Sequence, residues 1–480
     1  MANNVRPYFA NGEWVVGKGP TLESVNPFNG DIVATVSTAS REDVDAVVNA
    51  ARAAFEKGDW SRLKPHMRAR TLHAMGQLID AERETLAKIQ MSDNGKTLTE
   101  CRGALSAAAD TFRYFAAVCE TFEGEVNPSR GAYLALTVYE PIGVVAAITP
   151  WNSPAMLEAQ KLAPILAAGN SVVLKPSDVS PLIGLEYARL AERAGFPKGV
   201  VNVISGGAAV GAALVEHPDV DMISFTGGAK TGRSIAATAG GLLKPVNLEL
   251  GGKSPNIVFA DVDLDPTIAR VADAIFSSGG QSCTAGSRIF VEEKIYKPVL
   301  AGLNEFARNY RMGDPASSDT DMGPLASFAH REKVASYIDI GKAEGAKIEV
   351  GGYVPSEALF AKGAFYPATV MTEVDNRARV SSEEIFGPVA VVLPFRDEED
   401  VIAQANDTPY GLAAGLWTAD PRRAVRIASN LRAGTVWVNT FKQFSIATPF
   451  GGMKQSGIGR EKGIQGMRVY MAAKGIYLAD

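Results

Sequence analysis

The sequence predicts an α/β protein built on a parallel sheet, followed along the chain by a second α/β domain. Between residues 140 and 251, five short apolar runs alternate with four segments of helical pattern. Continuous apolar runs of this length are typical of strands buried on both faces, as in parallel sheets. The alternation returns from residue 256 to about residue 439, which predicts the second domain. A chain of 480 residues has room for two or three domains of about 150 residues each.

The elements of the first sheet follow from the apolar runs and from the residues that begin and end helices. The predicted strands cover residues 143–148, 171–175, 200–204, 222–225 and 246–250. The first helix runs from about 155 to 168 and ends at a Gly-Asn pair. The next begins at Ser180-Pro181, with the serine as cap, and ends at Gly195. Residues 41–125 are predicted to be helical, whereas residues 126–139 and the end of the chain are predicted to be extended.

Composition argues against several classes of function. The net charge of −5 is mild, and no dense Lys/Arg cluster predicts contact with nucleic acid. No apolar run approaches the length of a membrane span, and the first residues lack a secretory pattern, so a cytoplasmic protein is expected. Three cysteines (Cys101, Cys119 and Cys283) and four histidines lack the spacing of metal ligands, so no metal is predicted.

Turns rich in Gly and Ser follow the predicted strands of the first sheet. In an open parallel sheet, ligands bind at the carboxyl ends of the strands, and helix N-termini there suit a phosphate. Lys175 and Asp178, which follow the second strand, could hold a ribose. One such turn alone would be a generic connection, but several in one sheet indicate a nucleotide site.

A lone thiol, Cys283, stands among small residues in the stretch SSGGQSCTAGS. A buried cysteine usually behaves as a small hydrophobic residue, so the stretch alone does not distinguish a packed thiol from a nucleophile. Cys101 and Cys119 lie in Ala-rich helical surroundings and are interpreted as packing residues.

Seven motifs together resemble those of the NAD(P)-dependent aldehyde dehydrogenase superfamily, in its oxidising, non-acylating form. They are PWNSP (150–154), VVLKPSD (172–178), SFTGG (224–228), LELGGKSP (248–255), GGQSC (279–283), EEIFGP (383–388) and PFGGMKQSGIGRE (449–461). The resemblance implies a Rossmann-like cofactor domain (1–125 and 140–251), an α/β catalytic domain (252–452) and an oligomerisation arm (126–139 and 453–480). It also implies a homodimer or homotetramer.

The resemblance implies a catalytic role for five residues. Cys283 would be the nucleophile and Glu249 the general base, while Asn152 would stabilise the oxyanion beside the backbone N–H of Cys283. Lys161 and Glu461 would relay protons behind the base. The chemistry agrees, because a thiolate adduct can release a hydride and leave a thioester, which a carboxylate of raised pKa can then hydrolyse.

The implied cofactor is NAD, with NADP as the alternative, since a carboxylate at Asp178 accepts hydrogen bonds from ribose hydroxyls and repels a 2′-phosphate. Gly228 and Ala229 stand where the family commonly has hydroxyl residues. The implied cofactor-binding residues are Ile148, Trp151, Lys175, Ser177, Asp178, Gly207, Phe225, Thr226, Gly227, Gly228, Leu250, Glu384 and Phe386.

The implied substrate pocket contains Ser282, Phe441, Lys442 and Phe444. The two phenylalanines suit an apolar or aromatic aldehyde. Lys442 would favour a semialdehyde if it pointed inward, but a long cationic side chain is expected to extend into solvent.

Two other hypotheses stay open at this point. A CoA-acylating relative would intercept the thioester with a thiol, but such enzymes generally lack the glutamate that is present here as Glu249. A binding protein that keeps the fold without activity has no physical need for Cys283, Glu249 and Asn152 together.

Overall fold

The computed structural model describes residues 5–479. Its strands are β1 (Tyr8–Ala10), β2 (Glu13–Val15), β3 (Thr21–Val25), β4 (Ile32–Ser37), β5 (Glu125–Asn127), β6 (Tyr133–Pro141), β7 (Val144–Ile148), β8 (Ser171–Lys175), β9 (Val201–Val203), β10 (Met222–Thr226), β11 (Val246–Glu249), β12 (Pro255–Val258), β13 (Arg288–Glu292), β14 (Lys347–Val350), β15 (Thr369–Thr372), β16 (Val389–Phe395), β17 (Ala413–Trp417), β18 (Thr435–Val438), β19 (Gly457–Ile458) and β20 (Met471–Ala479). Its α-helices are α1 (Arg41–Lys57), α2 (Pro65–Ala81), α3 (Arg83–Asn94), α4 (Leu98–Thr121), α5 (Pro154–Ala168), α6 (Leu182–Ala194), α7 (Ala208–Glu216), α8 (Ala229–Gly241), α9 (Leu264–Phe276), α10 (Tyr296–Asn309), α11 (Phe328–Ala343), α12 (Arg379–Ser382), α13 (Glu398–Asn406), α14 (Pro421–Asn430) and α15 (Gly463–Arg468).

The first sheet has eight strands in the order β19-β11-β10-β7-β8-β9-β1-β2. Its five central strands are parallel, as predicted, and their bounds lie within a residue or two of the predicted ones. β7, β8 and β10 are buried along their whole length, which explains their continuous apolar runs. The antiparallel strands at the two edges were not predicted, because β1, β2 and β19 have only two or three residues each.

The start of α6 differs from the sequence prediction. The helix begins at Leu182, with Pro181 in the cap position and no capping side chain. The predicted cap, Ser180, instead donates its hydroxyl to the carbonyl of Trp151 at 3.3 Å. Ser180 therefore holds the loop after β7, which carries Trp151 and Asn152.

The second sheet has seven strands in the order β14-β15-β16-β13-β12-β17-β18, and all of its pairs are parallel except β14 with β15. Neighbouring residues of β12 belong to different hydrophobic clusters, Ile257 to one and Val258 to the other, so both faces of the sheet are covered. A separate core surrounds the first sheet and the helices packed on it.

A third sheet joins the end of the chain to the segment before β7. β20 pairs with β6 in antiparallel register over nine residues, from Met471 opposite Pro141 to Ala479 opposite Tyr133, and β5 lies on the other side of β6. Over residues 5–479, no helix combines the length and the apolar character needed to cross a bilayer.

Candidate active site

The loop that carries Cys283 follows α9 through three consecutive residues of left-handed backbone. Ser278, Gly279 and Gly280 have φ values of 59°, 61° and 66°. A Cβ atom at Gly280 would collide with the carbonyl group of Gly387, so only glycine fits there. This turn places Cys283, half-buried, in the wall of a cavity.

The cavity has a volume of about 570 Å³ and lies where the carboxyl ends of the first sheet face the cysteine loop. It brings together residues that are far apart along the chain. The predicted site residues that line it are Trp151, Asn152, Thr226, Gly227, Gly228, Glu249, Leu250, Ser282, Cys283, Glu384, Phe386, Lys442 and Phe444.

Asn152 is held against the cysteine loop by its own amide. Its Nδ2 donates to the carbonyl oxygen of Gln281 at 2.9 Å, two residues before Cys283. A side-chain amide has two N–H groups, so one hydrogen remains available beside Cys283. This geometry is compatible with the predicted oxyanion role.

Glu249 ends β11 and is only 4% exposed. Among the described residues neither of its carboxyl oxygens has a hydrogen-bond partner. Burial, together with the nearby charge of Glu461, holds its pKa well above the usual range. A carboxyl group of raised pKa at a dry site is suited to accepting a proton from water or a thiol.

An ion pair lies behind Glu249. Lys161 Nζ is 2.7 Å from Glu461 Oε1, and the two side chains are 0% and 3% exposed. Lys161 also donates to the hydroxyl of Ser224 at 3.0 Å, and that hydroxyl is 2.8 Å from the hydroxyl of Tyr470. Glu461 raises the pKa of Glu249 and Lys161 lowers it, so the pair influences how readily the carboxyl group ionises.

The surroundings of Cys283 favour the protonated thiol over the thiolate. Burial, with the charges of Glu384 and Glu249, raises its pKa to about 12. Glu384, which accepts the backbone N–H of Gly252 at 3.1 Å, has its pKa raised to about 7 by burial. Formation of the thiolate therefore requires a nearby proton acceptor.

Two aromatic residues predicted to contact the cofactor lie together at one end of the cavity. The rings of Trp151 and Phe386 meet edge to face at 5.3 Å. Phe386 has a φ of 63°, and its carbonyl oxygen accepts from His330 Nε2 at 2.7 Å. The sequence predicts no functional role for His330. It lines the cavity here, and burial lowers its pKa to about 4, so its ring is neutral.

The residues predicted to hold the ribose lie beyond this cavity, at the ends of β8 and β9. Lys175 is buried and donates to the carbonyl of Pro176 at 3.0 Å, while Ser177 Oγ lies 3.4 Å from Asp178 Oδ1. A Cβ atom at Gly207 would come within 3.7 Å of Asp178 Oδ2, so these side chains are neighbours.

The helices that follow fit a pyrophosphate. The N-cap residues of α7 and α8 are Gly207 and Gly228, which provide no capping side chain, so the first N–H groups of both helices are free to bind an anion. Ile148 and Phe225 lie opposite each other at the ends of β7 and β10 and are buried beneath these turns. The residues present therefore fit a dinucleotide.

Phe441 does not line the cavity, contrary to the sequence prediction. Its buried ring lies 4.9 Å from that of Trp437 and fills the space left by the missing side chains of Gly415 and Gly286. Phe444, by contrast, lines the cavity and packs against Phe450.

Lys442 points inward, whereas the sequence favoured an outward position. Its φ is 53°, and its Nζ donates to the hydroxyl of Ser277 at 2.9 Å. Ser282, also predicted to line the pocket, does so, and its hydroxyl lies 3.1 Å from that of Thr284.

Four charged residues of the cavity were missed in the sequence: Lys96, Glu100, Lys333 and Lys462. Lys96 and Glu100 lie some 180 positions before the cysteine loop, yet both contact Ser278, at 2.6 and 2.7 Å. None of these residues stands in a local motif, so the sequence alone does not place them in the cavity.

The cavity and the sheet beside it are those of an oxidoreductase that binds a nucleotide next to a cysteine. The model of the aldehyde dehydrogenase family matches residues 14–476, and the chain belongs to this family. It is therefore an enzyme that oxidises an aldehyde.

Individual relatives match over almost the whole chain. The betaine aldehyde dehydrogenase of Bacillus subtilis is 43% identical over 473 residues, 98% of this chain and 96% of the relative. The crystal structure of betaine aldehyde dehydrogenase from Staphylococcus aureus in complex with NAD+ has a TM-score of 0.97 at 39% identity, covering 98% and 95% of the two chains. The NAD+ complex of aldehyde dehydrogenase from Bacillus cereus has a TM-score of 0.97 at 42% identity, covering 99% and 97%.

Proposed function

We propose that the enzyme oxidises its aldehyde through a covalent adduct on Cys283, with Glu249 as the base and water as the final acyl acceptor. The observation that carries this proposal is that Cys283, Glu249 and Asn152 line one cavity. The products are the carboxylic acid and the reduced nicotinamide.

NAD+ is the proposed oxidant, in line with the NAD+ complexes of the similar bacterial enzymes. Lys175 and Asp178 would hold its ribose, and the uncapped starts of α7 and α8 would hold its phosphates. Trp151 and Phe386 would bound the nicotinamide. Bound NAD+ supplies the acceptor for the hydride that leaves the substrate carbon.

The first step joins the cysteine sulfur to the aldehyde carbon. The thiol proton passes to Glu249, the sulfur–carbon bond forms, and the carbonyl electron pair moves onto oxygen. The free N–H of the Asn152 amide and the backbone N–H of Cys283 stabilise that oxyanion, each by about 3 kcal/mol. Loss of the hydride restores the carbonyl group as a thioester on Cys283.

The second step hydrolyses the thioester. Glu249, once it has released the thiol proton to solvent, takes a proton from water, the water oxygen attacks the acyl carbon, and the carbon–sulfur bond breaks to return the thiolate. The Lys161–Glu461 pair lies behind the base and positions it electrostatically.

The test is production of reduced nicotinamide, followed by its absorbance, with butanal and NAD+. Cys283→Ala should abolish the signal. Cys119→Ala, which changes a buried thiol of α4 outside the cavity, is the matched control and should stay active. Full activity of Cys283→Ala would overturn the covalent mechanism.

We propose further that the three-stranded sheet joins subunits into a homodimer or homotetramer, and that the enzyme works in the cytoplasm. β20 leaves one edge of that sheet unpaired among the described residues, with Tyr477 and Leu478 exposed. All three cysteines are free thiols, which suits a reducing compartment. Light scattering of the purified protein tests the assembly, and a stable monomer would contradict it.

We also propose that the chain divides at residue 252 into a cofactor domain and a catalytic domain. The separate cores of the two large sheets support this division.

A further inference from the structure

Two lysines aim their ammonium groups into the cavity that contains Cys283. Lys442 and Lys462 both line it, and both adopt left-handed backbone, with φ values of 53° and 58°. Such a conformation is uncommon for lysine and is typical of positions where the surroundings force a side chain into place. The two ammonium groups are therefore built into the wall of the cavity.

In the described part of the chain, neither ammonium group is in direct contact with a carboxylate, and the carboxyl groups that act on them from farther away are Asp273 and Glu100 for Lys442, and Glu461 and Glu249 for Lys462. Over residues 5–479, no carboxylate oxygen lies within 4.0 Å of either Nζ. Lys442 donates to the neutral hydroxyl of Ser277, and Lys462, only 6% exposed, donates to no described residue. Burial accordingly lowers the pKa of each lysine to about 8. Buried charges are ordinarily paired, because an unpaired one loses its hydration without compensation.

The other charged groups around the cavity do not cancel the positive charge of Lys442 and Lys462. Lys96 and Glu100 are linked through the hydroxyl of Ser278, so they offset each other. Glu461 is already paired with Lys161. Lys333 also lines the cavity, and its charge acts on Glu384. Glu249 does not offset the two lysines either, because burial opposes ionisation of its carboxyl group.

Lys462 also occupies the aromatic faces on which a cationic substrate would rest. Its Nζ lies 4.1 Å from the ring centroid of Phe444 and 5.4 Å from that of Phe450. Quaternary ammonium groups are recognised by such faces. Here an internal cation already fills them, and a second positive charge beside it would be repelled.

Resting on the proposed oxidation at Cys283, we propose that the substrate is an aldehyde that carries a carboxylate, bound by the ammonium groups of Lys442 and Lys462. Met156 and Leu157, which also line the cavity, leave an apolar passage for a short methylene chain between the two ends. The substrate class is thus the semialdehydes of dicarboxylic acids. A trimethylammonium aldehyde, as in the names of two similar enzymes, does not suit this wall.

The experiment compares 4-oxobutanoate with its neutral methyl ester and with betaine aldehyde, measuring kcat/KM with NAD+. The wild-type enzyme should prefer the carboxylate over the ester by about 10- to 100-fold, the size expected for hydrogen bonds to a charged group. Lys442→Met and Lys462→Met should each lower kcat/KM for 4-oxobutanoate far more than for the ester, so that most of this preference is lost. Lys198→Met removes an exposed lysine and serves as the control for lost charge.

A second readout does not need turnover. Succinate should raise the melting temperature of the Cys283→Ala protein, and this shift should disappear when Lys442→Met is added. Equal rates on acid and ester, an unchanged ratio in both lysine variants, or a preference for betaine aldehyde would overturn the carboxylate proposal. Cys283-dependent oxidation of the ester would at the same time leave the proposed function intact. If the wild-type enzyme reduced no NAD+ with any of the three aldehydes, the proposed function itself would fall, and the carboxylate proposal with it.

Discussion

The Lys161–Glu461 pair offers a direct test of the electrostatics behind the base. Both side chains are almost fully buried, and their charged atoms are 2.7 Å apart. Lys161→Met keeps the aliphatic length of the side chain and removes the charge. Glu461 would then be a buried carboxylate without a counter-ion, next to the already disfavoured carboxyl group of Glu249.

Breaking a buried pair on one side typically costs about 3–5 kcal/mol, because the remaining charge stays desolvated. Unfolding entropy near the midpoint is about 2.1 cal/mol/K per residue. Over the 480 residues of the chain this gives about 1 kcal/mol/K, so the melting temperature should fall by about 3–5 °C. Burying a carboxylate without its counter-ion costs less once the carboxylate has bound a proton, so the loss should be larger at pH 8 than at pH 5.

Differential scanning calorimetry of the two forms at both pH values is the assay. The double variant Lys161→Met/Glu461→Leu is the matched control, since an apolar pair of similar volume should recover most of the lost stability. A melting temperature unchanged in Lys161→Met, or a loss equally large at both pH values, would refute the reasoning.

Three further outcomes are expected from the catalytic cavity. Glu249→Gln should slow both the first release of reduced nicotinamide and the steady-state rate by about 10²- to 10⁴-fold, because the thiol and the water each lose their proton acceptor; a full first turnover followed by a trapped acyl group, visible by mass spectrometry, would show that Glu249 acts only in hydrolysis. Asn152→Ala should lower kcat by about 10²- to 10³-fold, since one oxyanion donor is removed, and an unchanged kcat would exclude that role. The preference for 4-oxobutanoate over its methyl ester should decline as the pH rises through about 8, where Lys442 and Lys462 lose their protons; a ratio that is flat from pH 6.5 to 9.5 would contradict it. The charged or titratable groups that act on these two lysines are Asp273, Lys96, Glu100, Cys283, Glu461 and Glu249.

The parallel sheet could be predicted because each central strand is short, apolar and bounded by a turn. The two- and three-residue strands at its edges carry no such pattern, and neither does the short helix α15 near the end of the chain. The cap of α6 was mistaken because Ser180 has a partner, the carbonyl of Trp151, that only the folded chain brings near.

The proposed catalytic residues Cys283, Glu249 and Asn152 could be named from motifs, since each stands in a characteristic run, and the structure brings all three to one cavity. The substrate end was harder to predict. Phe441 was taken for a pocket residue, but two glycines make room for its ring inside the core. The inward turn of Lys442 depends on a left-handed backbone conformation that its residue type disfavours.

The ammonium group of Lys462 between Phe444 and Phe450 also bears on how this pocket could change over evolutionary time. With that one side chain shortened, the two rings would form a vacant aromatic recess, the kind of surface on which choline-like compounds are held. A single substitution at Lys462 would then change the substrate charge that the pocket prefers, while the proposed catalytic residues stay the same. A change in the charge that this recess encloses would leave the rest of the fold as it is.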